Sequence, residues 1–136
     1  MRSMPLFPAA VSTTCVLSLG IVAFPAGCAS GDRITIGTQL YDGPPIELTT
    51  TGQQQIVKLT APTGGWTFRL DTTRPQLDHT EVFVTAVRPD PAFMQTQALV
   101  THELATGIAP GRPVRVYGRT LAHTEETGEY RPVRGG

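Results

Sequence analysis

The residues that could act as nucleophiles are few, and their positions limit the chemistry available to this chain. The two cysteines are Cys15 and Cys28, and Ser30 is the only serine after residue 27. Catalysis by serine or cysteine needs such a side chain beside an activating base. Cys28 and Ser30 lie instead where an apolar segment gives way to polar sequence. A serine or cysteine hydrolase is therefore not expected.

Histidines with neighbouring carboxylates are the next candidates for chemistry, because these side chains bind metal ions when several converge. The groups are Asp78, His79 and Glu81; His102 and Glu103; and His123, Glu125 and Glu126. None has an H-x-x-x-H or a Cys-His spacing. In a strand, His102 and Glu103 would point to opposite faces. We expect solvated loop and strand residues here, and no metal or other cofactor.

A pair of carboxylates could support hydrolysis if the two faced each other across a cleft. Asp71, Asp78 and Asp90 each follow a predicted strand, but no spacing pairs them. No glycine-rich segment ends in Gly-Lys-Thr before a helix, so a phosphate loop is not expected either. A small hydrolase that uses Asp78 and Asp90 is therefore the weakest of three functional hypotheses.

The segment before Cys28 has the features of a secretory signal peptide. Arg2 supplies a positive charge, VLSLGIVAF (16–24) is an apolar core, and small residues follow it. The alternative is a membrane-spanning helix, because the 19 uncharged residues 6–24 are long enough to cross a bilayer. Prolines in and beside this stretch, and the lack of a basic cluster after it, favour a signal peptide over residues 1–27.

The tripeptide Ala26-Gly27-Cys28 resembles the lipobox of bacterial lipoproteins. In that class the cysteine receives a diacylglycerol group and the chain is cut just before it. The resemblance implies lipidation at Cys28, a short tether over residues 28–32, and a membrane anchor in the cell envelope. Ala29 and Ser30 lack the aspartate that retains some lipoproteins at the inner membrane, which implies the outer membrane in an organism with two membranes. Pro25 departs from the aliphatic residue usual at that position.

The charge balance argues against nucleic-acid binding. After residue 27 the chain carries ten basic and eleven acidic residues. A protein that binds nucleic acid neutralises phosphates with an excess of lysine and arginine. We therefore expect no nucleic-acid partner.

The segment APTGGWTFRLD (61–71) is the most distinctive stretch of the predicted domain. Gly64 and Gly65 permit a tight turn directly before Trp66. Trp66 shares a strand face with Phe68 and Leu70, which favours a core position. Tryptophan is also enriched in binding hot spots, so these three residues of the turn are candidates for contact with a partner.

Thr-Gly-Gly-Trp followed by alternating apolar residues resembles the motif of the protease-complex-subunit (PrcB-like) C-terminal domain. The resemblance covers roughly residues 53–121, and only Gly64, Gly65 and Trp66 match by position. It implies a small, mostly β domain that is not itself an enzyme. The turn alone also resembles the loop of chagasin-type cysteine-protease inhibitors.

Period-two patterning separated by turn residues predicts the elements that position these side chains. Strands are expected over residues 34–40, 46–50, 56–60, 65–71, 81–87 and 114–121. Residues 94–104 are also expected to form a strand, with a helix as the alternative because helix-forming residues are frequent there. The strand over 81–87 is apolar on both faces and is placed centrally in a sheet. In the last strand, Val114 and Val116 are expected to face inward. Arg115, Tyr117 and Arg119 share the other face, which is expected to be the solvent-exposed wet face, with a binding stripe as the alternative.

The pattern therefore predicts an all-β domain over residues 33–122, a small antiparallel β-sandwich or barrel. A polar tail over 123–136 is expected to fray. The leading functional hypothesis is a lipid-anchored envelope protein whose non-catalytic β domain binds another protein. The second is a protease inhibitor that presents the 61–66 turn, and the third is the small hydrolase.

Overall fold

A computed structural model describes residues 33–135 of the chain. The signal peptide, the tether and the lipidation site at Cys28 were all predicted for residues that lie outside the described part. Seven strands form: β1 (Ile46–Thr51), β2 (Gln54–Ala61), β3 (Thr67–Pro75), β4 (Thr80–Val87), β5 (Val100–Ala105), β6 (Val114–Leu121) and β7 (Arg131–Pro132). Within residues 33–135 no helix is long and apolar enough to span a membrane.

The strands form two sheets, and the prediction of a small all-β domain is confirmed. One sheet has the order β1-β2-β5 and the other the order β3-β4-β6-β7. All pairs are antiparallel except β4 and β6. These two run parallel because the chain crosses to the other sheet as β5 before it returns as β6.

A shared apolar core holds the two sheets together. Strands β2, β4 and β6 present alternate valine and leucine side chains to it, as period-two patterning requires. Val57 and Leu59 from one sheet are fully buried against Val82 and Val84 from the other. Each such side chain contributes about 1.5–3 kcal/mol by leaving water. The two sheets therefore form a sandwich with one core.

Strand β4 is central in its sheet, as its sequence predicts. It pairs with β3 on one side and with β6 on the other. Its even-numbered valines face the core, whereas Phe83 and Thr85 point to the opposite side, which we name the outer face. Both Phe83 and Thr85 are fully buried, so the outer face is covered by other parts of the chain.

The C-terminal segment provides that cover. The expectation of a frayed tail is wrong for residues 130–133, because β7 pairs with β6 and Tyr130 is only 3% exposed. The ring of Tyr130 packs edge-on against Phe83 at 5.1 Å between centroids. Backbone hydrogen bonds join Tyr130 to Thr35 and Gly37 on one side, and Val133 to Val116 on the other. The folded domain therefore continues beyond residue 122.

Two other predicted strands are shorter than expected. Of residues 34–40, only Ile36 pairs, in an isolated bridge with Tyr130. Residues 94–99 are irregular and β5 begins at Val100. The wet face predicted for β6 is also wrong in part. Arg115 is exposed, but Tyr117 stacks on Phe83 at 5.2 Å and Arg119 is only 4% exposed.

Candidate functional site

The turn of Gly64 and Gly65 joins β2 to β3 at one end of the sandwich. Gly65 has a φ of 81°, a conformation that favours glycine. The backbone N–H of Gly64 donates to the carbonyl of Thr96 at 3.0 Å. A β-carbon at Gly64 would collide with the hydroxyl of Thr96, and one at Gly65 with the amide of Gln95. A side chain at either position would therefore require Thr96 or Gln95 of the β4–β5 loop to move, and at Gly65 the positive φ adds backbone strain.

Trp66 follows the turn and is half-buried. Its indole ring lies nearly parallel to the ring of Phe68, at 6.1 Å between centroids. Phe68 in turn contacts the ring of His102 at 4.9 Å. Trp66 therefore stacks on Phe68 beside the core and is not part of it, so the expected core position is not found, and the rest of its surface is accessible to solvent.

That open surface belongs to a groove at the same end of the sandwich, which we name the Trp66 groove. Its volume is about 440 Å³. The loop before β1 and the two loops beside Trp66 supply its walls, and its apolar lining is Pro44, Pro45, Pro62, Trp66 and Leu99. Leu99 is 77% exposed. Prolines and an aromatic ring give the groove rigid walls with little side-chain entropy to lose on binding.

Arg88 marks one border of the Trp66 groove and also lines a second hollow. This second hollow, named here the Pro89 hollow, measures about 330 Å³ and has Pro89, Pro91, Ala122 and His123 as its other lining residues. The side chain of Arg88 forms no ion pair or hydrogen bond with any residue from 33 to 135. An exposed cation that borders two hollows with largely apolar linings is thus the distinctive chemistry of this end of the domain.

The Asp78, His79 and Glu81 group lies at the opposite end of β4. His79 Nδ1 is 2.6 Å from Asp78 Oδ1, and this hydrogen bond lowers the pKa of the Asp78 carboxyl. Glu81 Oε1 lies 3.9 Å from His79 Nε2, too far for a hydrogen bond. In the described part of the chain, no three His, Cys, Asp or Glu side chains are placed to hold a metal ion.

The other histidines also lie apart from one another. His102 faces Phe68, whereas its neighbour Glu103 pairs with Lys58 at 3.4 Å, so the two side chains do point to opposite faces. His123 Nε2 lies 3.8 Å from a carboxylate oxygen of Asp90. Within residues 33–135, the three histidines contact different groups and no two of them share a site.

The two carboxylates of the hydrolase hypothesis do not face each other. Asp78 precedes β4 and Asp90 follows it, and a strand of eight residues spans about 26 Å. Carboxyl pairs that hydrolyse glycosides are within about 10 Å of each other. Asp71 contacts Thr85 within β4, whereas Asp78 and Asp90 lie beyond the two ends of that strand. The structure does not bring these residues together.

A buried polar cluster on the outer face escaped the sequence analysis. A bulge in β3 between Leu70 and Thr72 turns Asp71 toward the sheet, where its side chain is 16% exposed. Arg119 Nε donates to Thr85 Oγ1 at 2.7 Å, and Thr85 donates its hydroxyl proton to Asp71. Tyr130 Oη also donates to Asp71, at 2.9 Å. Together Asp71, Thr85, Arg119 and Tyr130 form the outer-face cluster.

Burial and charge explain the electrostatics of this cluster. The guanidinium of Arg119 lies over the ring of Tyr130, 4.4 Å from its centroid, and 3.9 Å from Asp71. Burial, and then the hydrogen bond to the Asp71 carboxylate, raise the pKa of Tyr130 to about 12. Each polar side chain of the cluster has a hydrogen-bond or ion-pair partner, and a satisfied buried network of this kind makes the fold rigid.

Comparison of the chain with protein families, with curated proteins and with solved structures found no match. The resemblances to a lipobox and to the protease-complex-subunit domain therefore stay predictions. The geometry of the Trp66 groove is the feature from which a function can be argued.

Proposed function

We propose that this protein is a non-catalytic binding module that holds an extended segment of another polypeptide in the Trp66 groove. The observation that carries the proposal is the groove itself, with a half-buried tryptophan, three prolines and the exposed Leu99 around one hollow. Tryptophan anchors of this kind dominate the energetics of protein interfaces. Grooves lined by aromatic side chains also accept extended, proline-containing peptides.

The proposal includes the cellular setting predicted from the sequence. Residues 1–27 are proposed to be removed as a signal peptide, and Cys28 to carry lipid that holds the domain at the cell envelope. Two or three acyl chains on Cys28 would make the anchor effectively permanent, since each buried CH₂ contributes about 0.8 kcal/mol. The partner is then another protein of the envelope.

The anchor is tested by mass spectrometry of the protein from bacterial membranes. The expected mature chain begins at Cys28 and carries the mass of a diacylglycerol group. Cys28→Ala is expected to leave the protein unlipidated and uncut at this position. A wild-type chain that begins elsewhere, or an unmodified Cys28, would disprove the anchor and would leave the groove proposal standing.

The groove is tested with random peptides displayed on phage and selected on the full chain in detergent. Synthetic copies of the retained peptides are then titrated by fluorescence anisotropy. Trp66→Ala is expected to weaken binding by roughly 30-fold, the effect of losing a hot-spot tryptophan. Leu99→Ala, which removes an exposed lining side chain, is expected to weaken binding with no loss of folding.

Leu77→Ala is the matched control, because Leu77 is fully exposed in the loop before β4, at the other end of the sandwich. This change is expected to leave peptide affinity unchanged. Circular dichroism separates loss of binding from loss of folding in each variant. Retention of no peptide, or equal affinity for the wild type and the Trp66→Ala and Leu99→Ala variants, would refute the proposal.

A further inference from the structure

We infer that the segment bound in the Trp66 groove carries an internal acidic side chain between two apolar ones, and that the carboxylate binds Arg88. This inference rests on the proposed function and names the chemistry of its partner. It follows from the position of Arg88, which lines both the Trp66 groove and the Pro89 hollow.

The carboxylates near Arg88 are paired with other groups, so the guanidinium of Arg88 can bind a carboxylate from outside the domain. Asp42, the carboxylate on the groove wall, lies 3.5 Å from Arg131. Asp90, the carboxylate beside the Pro89 hollow, accepts the N–H of Ala92 at 2.8 Å and lies 3.8 Å from His123. Both nearby acidic groups thus have other partners, whereas Arg88 has no ion pair within the described range, 33–135.

An exposed arginine is by itself an ordinary surface feature. What distinguishes Arg88 is that it lines two hollows with largely apolar walls. A segment bound in both would exclude water from the guanidinium. A charge-assisted hydrogen bond to a carboxylate is stronger in such a place than on an open surface. The planar guanidinium also suits bidentate contact with a carboxylate.

The presence of two hollows also indicates whether the partner's carboxylate is a side chain within the segment or the carboxyl terminus. A chain that ends at Arg88 would fill only one hollow, whereas a chain that continues past Arg88 can place an apolar side chain in each. An internal aspartate or glutamate therefore fits better than a terminal carboxylate. A polyphosphate or nucleic acid fits poorly, since the groove offers a single arginine and an acidic residue, Asp42.

The experiment compares two random peptide libraries on the full chain in detergent, one with blocked and one with free carboxyl termini. Peptides from the blocked library are expected to share an acidic residue between two apolar residues. For a synthetic copy, Arg88→Gln in the protein or Glu→Gln in the peptide is expected to raise Kd about tenfold. Both changes together are expected to cost little more than either alone, because they remove one contact.

Arg115→Gln is the matched control, since Arg115 is exposed on the outer face and the change removes the same charge. It is expected to leave Kd unchanged. Retained peptides without acidic residues, enrichment confined to free carboxyl termini, or an Arg88→Gln variant of unchanged affinity would overturn the inference while the proposed function stands. Self-association of the chain that Trp66→Ala abolishes would assign the groove to a second copy and overturn both.

Discussion

Replacement of Asp71 by alanine is expected to lower the free energy of unfolding by about 3–5 kcal/mol, the cost of breaking a buried charge pair on one side. Asp71 accepts hydrogen bonds from the hydroxyls of Thr85 and Tyr130, and its carboxylate lies 3.9 Å from the guanidinium of the buried Arg119. Alanine removes the acceptor for the hydroxyls of Thr85 and Tyr130. It also removes the negative charge that partly balances the buried guanidinium of Arg119. Urea denaturation at neutral pH measures the loss.

Arg69→Gln is the matched control for this change. Arg69 Nε donates to Asp71 at 2.8 Å, but its side chain is 53% exposed, so the pair is screened by water. The expected loss is below about 1 kcal/mol. If Asp71→Ala costs no more than Arg69→Gln, the outer-face cluster does not stabilise the fold in the way described.

Alkaline pH supplies a second readout of the same cluster. The pKa of Tyr130 is about 12 in the folded state against 10.0 for an unperturbed tyrosine. The contribution of the protonated Tyr130 hydroxyl to the free energy of unfolding is therefore complete below pH 10 and is lost as the pH rises toward 12. Removal of Asp71 takes away one cause of the raised pKa of Tyr130. The Asp71→Ala variant is therefore expected to lose less stability than the wild type between pH 10 and pH 12. The gap in stability between wild type and Asp71→Ala is expected to narrow there.

Alternation in the sequence correctly predicted β1, β2, β3 and β6, whereas the strand expected over 34–40 did not form and β7 was not predicted. Strand β4 is apolar on both faces, and this alone placed it centrally. The same logic failed for Arg119, since alternation assigns it to solvent but Tyr130 and Gly128 cover it from the far end of the chain. Periodicity reports which residues share a face and carries no information about a distant segment that returns over it.

The candidate site was predictable in the same partial way. Gly64, Gly65 and Trp66 are consecutive, so the turn and the tryptophan that follows it could be recognised from a short stretch of sequence. Arg88 and Leu99 are distant from them in sequence, and reach the groove only because the loop after β4 lies at the same end of the sandwich as the turn before β3. Their part in the site depends on strand order, which no short motif encodes.

Replacement of Phe83 by alanine is expected to cost about 3–5 kcal/mol, as truncation of a fully buried phenylalanine does. Phe83 has no exposed surface, stacks on Tyr117 at 5.2 Å and meets the edge of Tyr130 at 5.1 Å. The cavity would open between the outer face and the segment that covers it. The covering segment contributes few backbone pairs of its own, since β7 has only two residues.

Loss of this contact is expected to free the covering segment before the rest of the fold. Amide hydrogen exchange should therefore quicken most at Tyr130, whose N–H donates to Thr35, and less at Thr60, whose N–H donates to Pro45 beside the other sheet. Phe83→Leu, which retains most of the volume, is expected to preserve the slow exchange at Tyr130. Equal acceleration at Tyr130 and Thr60 in Phe83→Ala would mean that the segment does not depend on Phe83 in particular, because the two sheets would then open as one unit.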